Sequence, residues 1–185
     1  MTAIRSADQA RFLAGGWKSW PVILCYGSDE GAVREAVSAI TLAALGPGHD
    51  PLNLVTLDGD LLAQDPGRLA DELKSFGLFG GSRVVHVRAT GRLPVSIIEA
   101  AADDPAQDTL LIVEAGDLKR ESALKTRCDK HRRIAALPFF ADTARMISSL
   151  IDDMLRANTL LISRDARELL TAALGADRGL SRSEL

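Results

Sequence analysis

The turn Gly27-Ser-Asp-Glu-Gly-Ala-Val-Arg-Glu35 follows a short apolar run and precedes a helical pattern, which is where a nucleotide-binding α/β protein keeps its phosphate loop. A phosphate loop requires GxxxxGK[ST]: glycines expose backbone N–H groups, a lysine reaches the phosphates and a hydroxyl holds magnesium. Here Gly27 and Gly31 are not in that spacing and no lysine follows, while Asp29 and Glu30 put negative charge where a triphosphate would sit. The dinucleotide pattern GxGxxG is missing as well, so neither an ATPase nor a Rossmann oxidoreductase is expected. Glu114 ends a strongly apolar run in the manner of a Walker B strand, with Asp117 three residues on. Without a phosphate loop there is no metal-nucleotide complex for it to serve, and it reads as a remnant or as a solvated loop acid. His49, His86 and His131 are too scattered for a metal site and pair with no nucleophile. The basic run Lys125–Arg133 around His131 reads as a solvated helix face, with a phosphate or partner contact as its functional alternative.

A different kind of chemistry is offered by Lys74–Arg83, KSFGLFGGSR. Phe76, Leu78 and Phe79 are large and apolar, yet Gly77, Gly80 and Gly81 leave little scaffold to bury them. A loop or frayed helix end that presents Leu-Phe to solvent is a plug for another protein's pocket, because buried aromatic and aliphatic anchors carry most interface energy.

The elements that must position these residues alternate. Pro21–Tyr26 reads as a buried strand. The helix after it has Val33, Ala36, Val37 and Ile40 on one face, Ser28 as N-cap and two carboxylates in its first turn. Before this strand, Ala7, Ala10, Phe12 and Leu13 form a weak amphipathic segment ending near Gly15-Gly16. Asn53–Leu57 is a strand, and Pro66–Lys74 a helix with Asp65 as N-cap, Pro66 first and Leu69, Ala70 and Leu73 inward. Arg83–Val87, Thr109–Glu114 and Arg133–Leu137 are further strands, separated by helices at Pro94–Ala102 and Glu121–Lys130. This rhythm predicts βαβ units and a mostly parallel sheet with helices on both faces. After Pro138 only helices are expected, at Thr143–Asn158 (Asp142 as N-cap; Ile147, Leu150, Ile151 and Met154 on one face) and at Arg164–Leu174, stopping at Gly175. The boundary falls near 140, giving an α/β domain over 1–140 and a helical domain over 141–185. Ser181 and Glu184 form a capping box with no helix after it, which reads as a truncated chain.

Composition agrees with a globular protein: 185 residues, 46% hydrophobic, 25% charged and only 4% aromatic. A net charge of −3 and a pI near 5.6 give no general attraction for nucleic acid and favour protein partners. Cys25 and Cys128 stand alone, without CxxC spacing, as buried free thiols of a reducing cytoplasm. No run approaches the roughly 18 apolar residues of a membrane span, and no signal peptide is visible.

The turn GSDEGAVRE, the segment FGLFGGSRVV, the strand LLIVEAGDLKR and the switch to helices near 140 together resemble the delta subunits of bacterial DNA polymerase III, along the whole chain and in order. The resemblance implies an AAA+-like α/β domain that has lost its phosphate loop, a small helical lid domain and a C-terminal collar domain, the last missing here. It implies a clamp-loader subunit, not an enzyme on its own, that binds and opens the sliding clamp without a cofactor. It further implies motor (tau/gamma) and delta-prime partners, DNA contact through the assembled complex, no membrane association and a cytoplasmic location. The family's S-L-F-G segment maps onto Leu78 and Phe79 as the plug, with Gly77 in place of Ser and Gly80 matching; Phe76 joins the anchor or packs back. Lys74, Ser75 and Arg83 would contact the rim of the clamp's cleft. A generic non-catalytic α/β interaction module and a nucleotide-binding α/β enzyme are the alternatives.

Overall fold

The computed structural model describes residues 4–5, 8–75, 81–140, 151–152, 154–156, 160 and 162–173. Phe76, Leu78 and Phe79, with Asp142, Ile147, Leu150, Leu174, Gly175 and the Ser181–Glu184 capping box, lie outside the described residues. The chain divides into two compact units, Met1–Phe139 and Phe140–Leu185.

The first unit is a five-stranded parallel sheet: β1 (Val22–Tyr26), β2 (Leu54–Asp58), β3 (Arg83–Arg88), β4 (Thr109–Ala115) and β5 (Ile134–Pro138), in the order β2-β3-β4-β1-β5. Central strands buried on both sides must be largely apolar, and β1, with all five residues buried, and the Leu110–Val113 stretch of β4 are. The edge strand β2 shows mostly exposed residues. Alternate residues feed two cores. Val22, Leu24, Val85, Val87, Leu111, Val113 and Ile134 face one; Ile23, Cys25, Val84, Ile112, Ala135 and Leu137 face the other.

Helices cover each face. α1 (Gln9–Leu13) and α2 (Glu30–Leu45) bring Phe12, Val33, Ala36, Val37 and Ile40 to the second core, beside Trp17 of a short 3₁₀ turn. The inward face of α2 is the one its spacing predicts. Its cap is not: Asp29, not Ser28, accepts the Ala32 N–H at 3.0 Å, leaving only Glu30 in the first turn. In α1, Ala10 is exposed, while Gln9 is buried and donates to the Pro138 carbonyl.

On the opposite face lie α3 (Gly59–Gln64), α4 (Gly67–Lys74), α5 (Val95–Asp103) and α6 (Ala123–Cys128), contributing Leu62, Leu69, Leu73, Ile98, Ala102 and Leu124. α3 has no counterpart among the elements expected from the sequence. It starts where Asp58 accepts the Asp60 N–H at 2.7 Å, and it takes Asp65 as its closing residue. Asp65 is therefore unavailable as the N-cap of α4; Pro66 occupies that position without a side-chain bond. Ala70, expected inward, is exposed. The α6 helix is shorter at both ends than predicted.

In the second unit, Ile151 is buried against Leu155 and Leu170. The last described helix, α7 (Arg164–Ala173), begins where Ser163 Oγ accepts the Ala166 N–H at 3.2 Å, and Arg167 pairs with Asp152. Among the described residues no helix is long and apolar enough to cross a membrane.

Candidate partner-binding site

The turn after β1 is closed by its own chain. Gly27 donates to the Gly116 carbonyl at 3.1 Å, Asp29 to the Phe139 carbonyl at 3.2 Å, and Phe139 to the Tyr26 carbonyl at 2.7 Å. The Val33 amide donates to the Asp29 carbonyl at 3.0 Å. Two amides of the turn, those of Gly27 and Asp29, are thus taken by the ends of β4 and β5. Gly27 is needed for this closure: its φ is +149°, and a Cβ there would lie 1.6 Å from the Phe139 oxygen. The glycine serves the approach of a strand end, not of a ligand.

Glu114 is not a solvated loop acid. It sits within β4, half-buried, with a carboxylate oxygen 2.7 Å from His86 Nε2. The two face a cavity of about 660 Å³ between α2 and β2–β4, together with Leu42, Leu54 and Arg88. Burial holds the His86 imidazole below its ordinary pKa, outweighing the Glu114 carboxylate beside it, so the contact is a neutral histidine against a carboxylate. The basic run is the largely solvated face expected, with Arg127, Lys130, Arg132 and Arg133 exposed, and several of its side chains also pair within the chain. Arg127 pairs with Glu99, His131 Nε2 lies 3.2 Å from Asp103, and the Arg133 guanidinium donates to the Asp103 carbonyl at 3.2 Å, which ties α6 and its exit to α5. Lys125 turns to Asp129 at 2.6 Å. Both cysteines are buried, and burial pushes each thiol up to about 12. Among the described residues no group of three His, Cys, Asp or Glu could hold a metal.

What remains is the base of the 76–80 segment. α4 reaches it with Leu69 and Leu73 locked in the core, and β3 leaves it with Val84 and Val85 fully buried. Ser75 Oγ donates to the Asp71 carbonyl at 2.8 Å, which closes the last turn of α4. Lys74 Nζ stands 3.2 Å from Asp104, exposed, at the mouth of an apolar groove of about 230 Å³ between α4 and α5 lined by Leu69, Ala70, Leu73 and Ile97. Exposed Ala70 thus forms a groove wall instead of core. The Arg83 guanidinium lies 2.7 Å from Glu72, and its side chain is only 11% exposed. Glu72 gives no signal in the sequence, because a single acid on a polar helix face has no visible partner until β3 is folded beside it. Of the six residues expected to meet a partner, the structure therefore brings Lys74, Ser75 and Arg83 together at one stem, while Phe76, Leu78 and Phe79 lie outside the described residues.

No curated protein matches the chain. Among solved structures it is similar to the Bacillus subtilis DNA clamp loader delta protein, with a TM-score of 0.63 and 22% identity over 89% of this chain and 51% of that one. Two variants of Thermotoga maritima RuvB match with TM-scores of 0.45 and 0.47, at 15% and 18% identity, over 90% and 96% of this chain and 53% and 57% of theirs. The chain spans about half the length of these structures. The likeness to the delta protein is one of fold, a parallel sheet clad by helices on both faces, and it agrees with the parallel α/β class expected from the sequence. The model of the family described as DNA polymerase III, delta subunit, matches residues 24–136, the stretch from β1 through β5 that includes the closed turn and the stem. That match covers more than half of the chain, and the chain belongs to the DNA polymerase III delta subunit family.

Proposed function

We propose that this chain works as a clamp-loader delta subunit that binds and opens a DNA sliding clamp, performing no chemistry of its own. The observation that carries the reading is the closed turn after β1, in a chain of this family. Its Gly27 and Asp29 amides are taken by Gly116 and Phe139, which supports an α/β unit that does not use this turn as a phosphate cradle. Its remaining tool is the segment between α4 and β3, where Leu78 and Phe79 act as a plug for an apolar cleft on the clamp. Opening then needs only that a clamp with one sprung interface binds this surface better than a closed one. Partner subunits of the motor (tau/gamma) and delta-prime type would supply the nucleotide-driven timing and bring the assembly to DNA in the cytoplasm. The α/β domain would carry the clamp contact and the residues from 141 onward a helical lid.

Surface plasmon resonance of purified sliding clamp against the wild-type chain and against Leu78→Ala with Phe79→Ala tests the plug. Each is cast as a buried anchor, and anchors of that kind cost at least about 2 kcal/mol each on truncation. The double variant is expected to lose about a thousandfold in affinity, with an unchanged melting temperature. Wild-type affinity in the double variant would remove the plug. Tight ATP–magnesium binding by the wild-type chain would favour a nucleotide-binding enzyme instead.

A further inference from the structure

Between the last residue of α4, Lys74, and the first of β3, Arg83, the chain leaves the sheet and returns to it. Three side-chain contacts gather at this base, and they are unequal. Lys74 and Asp104 are 66% and 80% exposed, so solvent and salt screen their attraction and holding two mobile chains together offsets much of it. The Ser75 bond to the Asp71 carbonyl is local to α4 and fixes only its last turn. Glu72 and Arg83 are 11% to 27% exposed, 2.7 Å apart and eleven residues apart in the chain. Of these three contacts among the described residues, that pair is the one that joins the outgoing helix to the incoming strand.

Both of its anchors are rigid. Glu72 precedes Leu73, whose side chain is in the core. Arg83 opens β3, and its amide donates to the Asp108 carbonyl at 2.8 Å, from a residue held at φ +58°, a conformation uncommon outside glycine. Its guanidinium is largely withdrawn from solvent and turned toward Glu72, so it is poorly placed to serve as a contact for another protein. A binding segment whose two ends are fixed at a set separation loses less conformational freedom when it docks. If the competent arrangement becomes rarer, the apparent Kd rises in proportion.

We infer that the Glu72–Arg83 ion pair is a clasp that positions the 76–80 segment for its partner, with Arg83 acting through Glu72 and not by touching that partner. The inference rests on the reading of Leu78 and Phe79 as the clamp plug. It adds a residue, Glu72, that carries no apolar contact with the clamp yet sets how strongly the plug engages.

The test compares Glu72→Gln, Arg83→Gln, the exchanged pair Glu72→Arg with Arg83→Glu, and Leu78→Ala with Phe79→Ala. Each is titrated on purified sliding clamp by surface plasmon resonance at several salt concentrations. Hydrogen exchange at the amides of Ser75, Gly81 and Ser82, and thermal unfolding, are followed in parallel. Glu72→Gln and Arg83→Gln are each expected to weaken binding about tenfold, chiefly by slowing association, since the competent fraction scales the affinity. Exchange at Gly81 and Ser82 should quicken in both, the slope of affinity against salt should match wild type, and the exchanged pair should recover most of the loss. A purely structural pair would lower the melting temperature while leaving exchange at these amides and the association rate unchanged, which overturns the inference. So does a loss confined to Arg83→Gln together with a shallower salt slope, because Arg83 would then be touching the clamp. Should either single variant unfold at the assay temperature, Arg83→Lys, which keeps the charge but not the planar fork, carries the same comparison. Wild-type affinity in the Leu78, Phe79 variant overturns the plug and this inference with it. Loss there with wild-type affinity in Glu72→Gln overturns the clasp alone.

Discussion

Replacing Gly27 by alanine should damage the α/β unit more than any comparable one-carbon change elsewhere on its surface. The added Cβ would lie 1.6 Å from the Phe139 carbonyl oxygen, 2.4 Å from its carbonyl carbon and 2.9 Å from its nitrogen. These are backbone atoms at the exit of β5, so no side chain can rotate away. Relief requires the two strand ends to part by more than an ångström. That movement stretches the Phe139-to-Tyr26 bond of 2.7 Å and the Asp29-to-Phe139 bond of 3.2 Å. Two net hydrogen bonds at about 1 kcal/mol each, and about 1–3 kcal/mol for alanine held at a φ of +149°, give a loss of about 3–5 kcal/mol. For a unit of this size each kcal/mol moves the melting temperature by about 2–4 °C, so a drop of about 6–20 °C is expected by far-ultraviolet circular dichroism. Gly91→Ala is the control: nothing lies within 4 Å of a Cβ there, and a change within about 0.5 kcal/mol is expected. If Gly27→Ala melts like Gly91→Ala, the turn is not closed as described, and its amides are again open to a phosphate.

The other predictions concern the two cores and the polar pair between sheet and α2. Ile98→Ala, at a fully buried position in the core under α5, should cost about 2–5 kcal/mol in urea unfolding. Cys25 and Cys128, with thiols pushed up to about 12 by burial, should ignore an aromatic disulfide reagent at neutral pH and react only on unfolding. His86 is held below its ordinary value of 6.5, so the unfolded chain takes up this proton first as the pH falls. The folded state is then favoured fully above 6.5 and loses stability progressively below it. His86→Gln should flatten that acid-side loss in denaturant titrations made above and below this value, and an equally steep loss in the variant would assign it to other groups. Asp29→Ala removes the cap that accepts the Ala32 N–H and should cost about 1 kcal/mol.

The sheet is legible in the sequence because its strands obey one rule at a time. β1 and the Leu110–Val113 stretch of β4 are buried on both sides and read as unbroken apolar runs, and α2 shows its inward face at helical spacing. Errors gather where two local rules compete for one residue. Ser28 and Asp29 are both good caps, and only the close approach of Phe139, which claims the Asp29 amide, decides for Asp29. Asp65 looks like the start of α4 until α3 is recognised, and α3, at six residues, is too short to show a period. Charges are harder to place. Glu114 reads as a solvated loop acid because a lone charge in a sequence has no visible partner; His86, like Glu72 beside Arg83 and Glu99 and Asp103 beside the exposed basic run, comes from another element and meets its partner only in the folded chain.

The same distinction bears on the turn after β1 and on the proposed plug. A phosphate cradle is a set of backbone amides, and the glycine spacing and the missing lysine of this turn depart from it. The structure adds that the Gly27 and Asp29 amides are not left to solvent: the ends of β4 and β5 close onto them, and Gly27 makes that approach possible. Binding of phosphate by those two amides would require breaking their bonds first, a cost that substituting a lysine alone would not remove. The proposed plug, by contrast, is a matter of two or three side chains on a base. Its proposed anchors are visible in the sequence as apolar residues among glycines, whereas the base, with Glu72 and Arg83 at 2.7 Å, is visible only in the folded chain. Grafting a Leu-Phe segment onto another parallel sheet would therefore be expected to reproduce the contact poorly unless the ion pair beneath it travels with the graft.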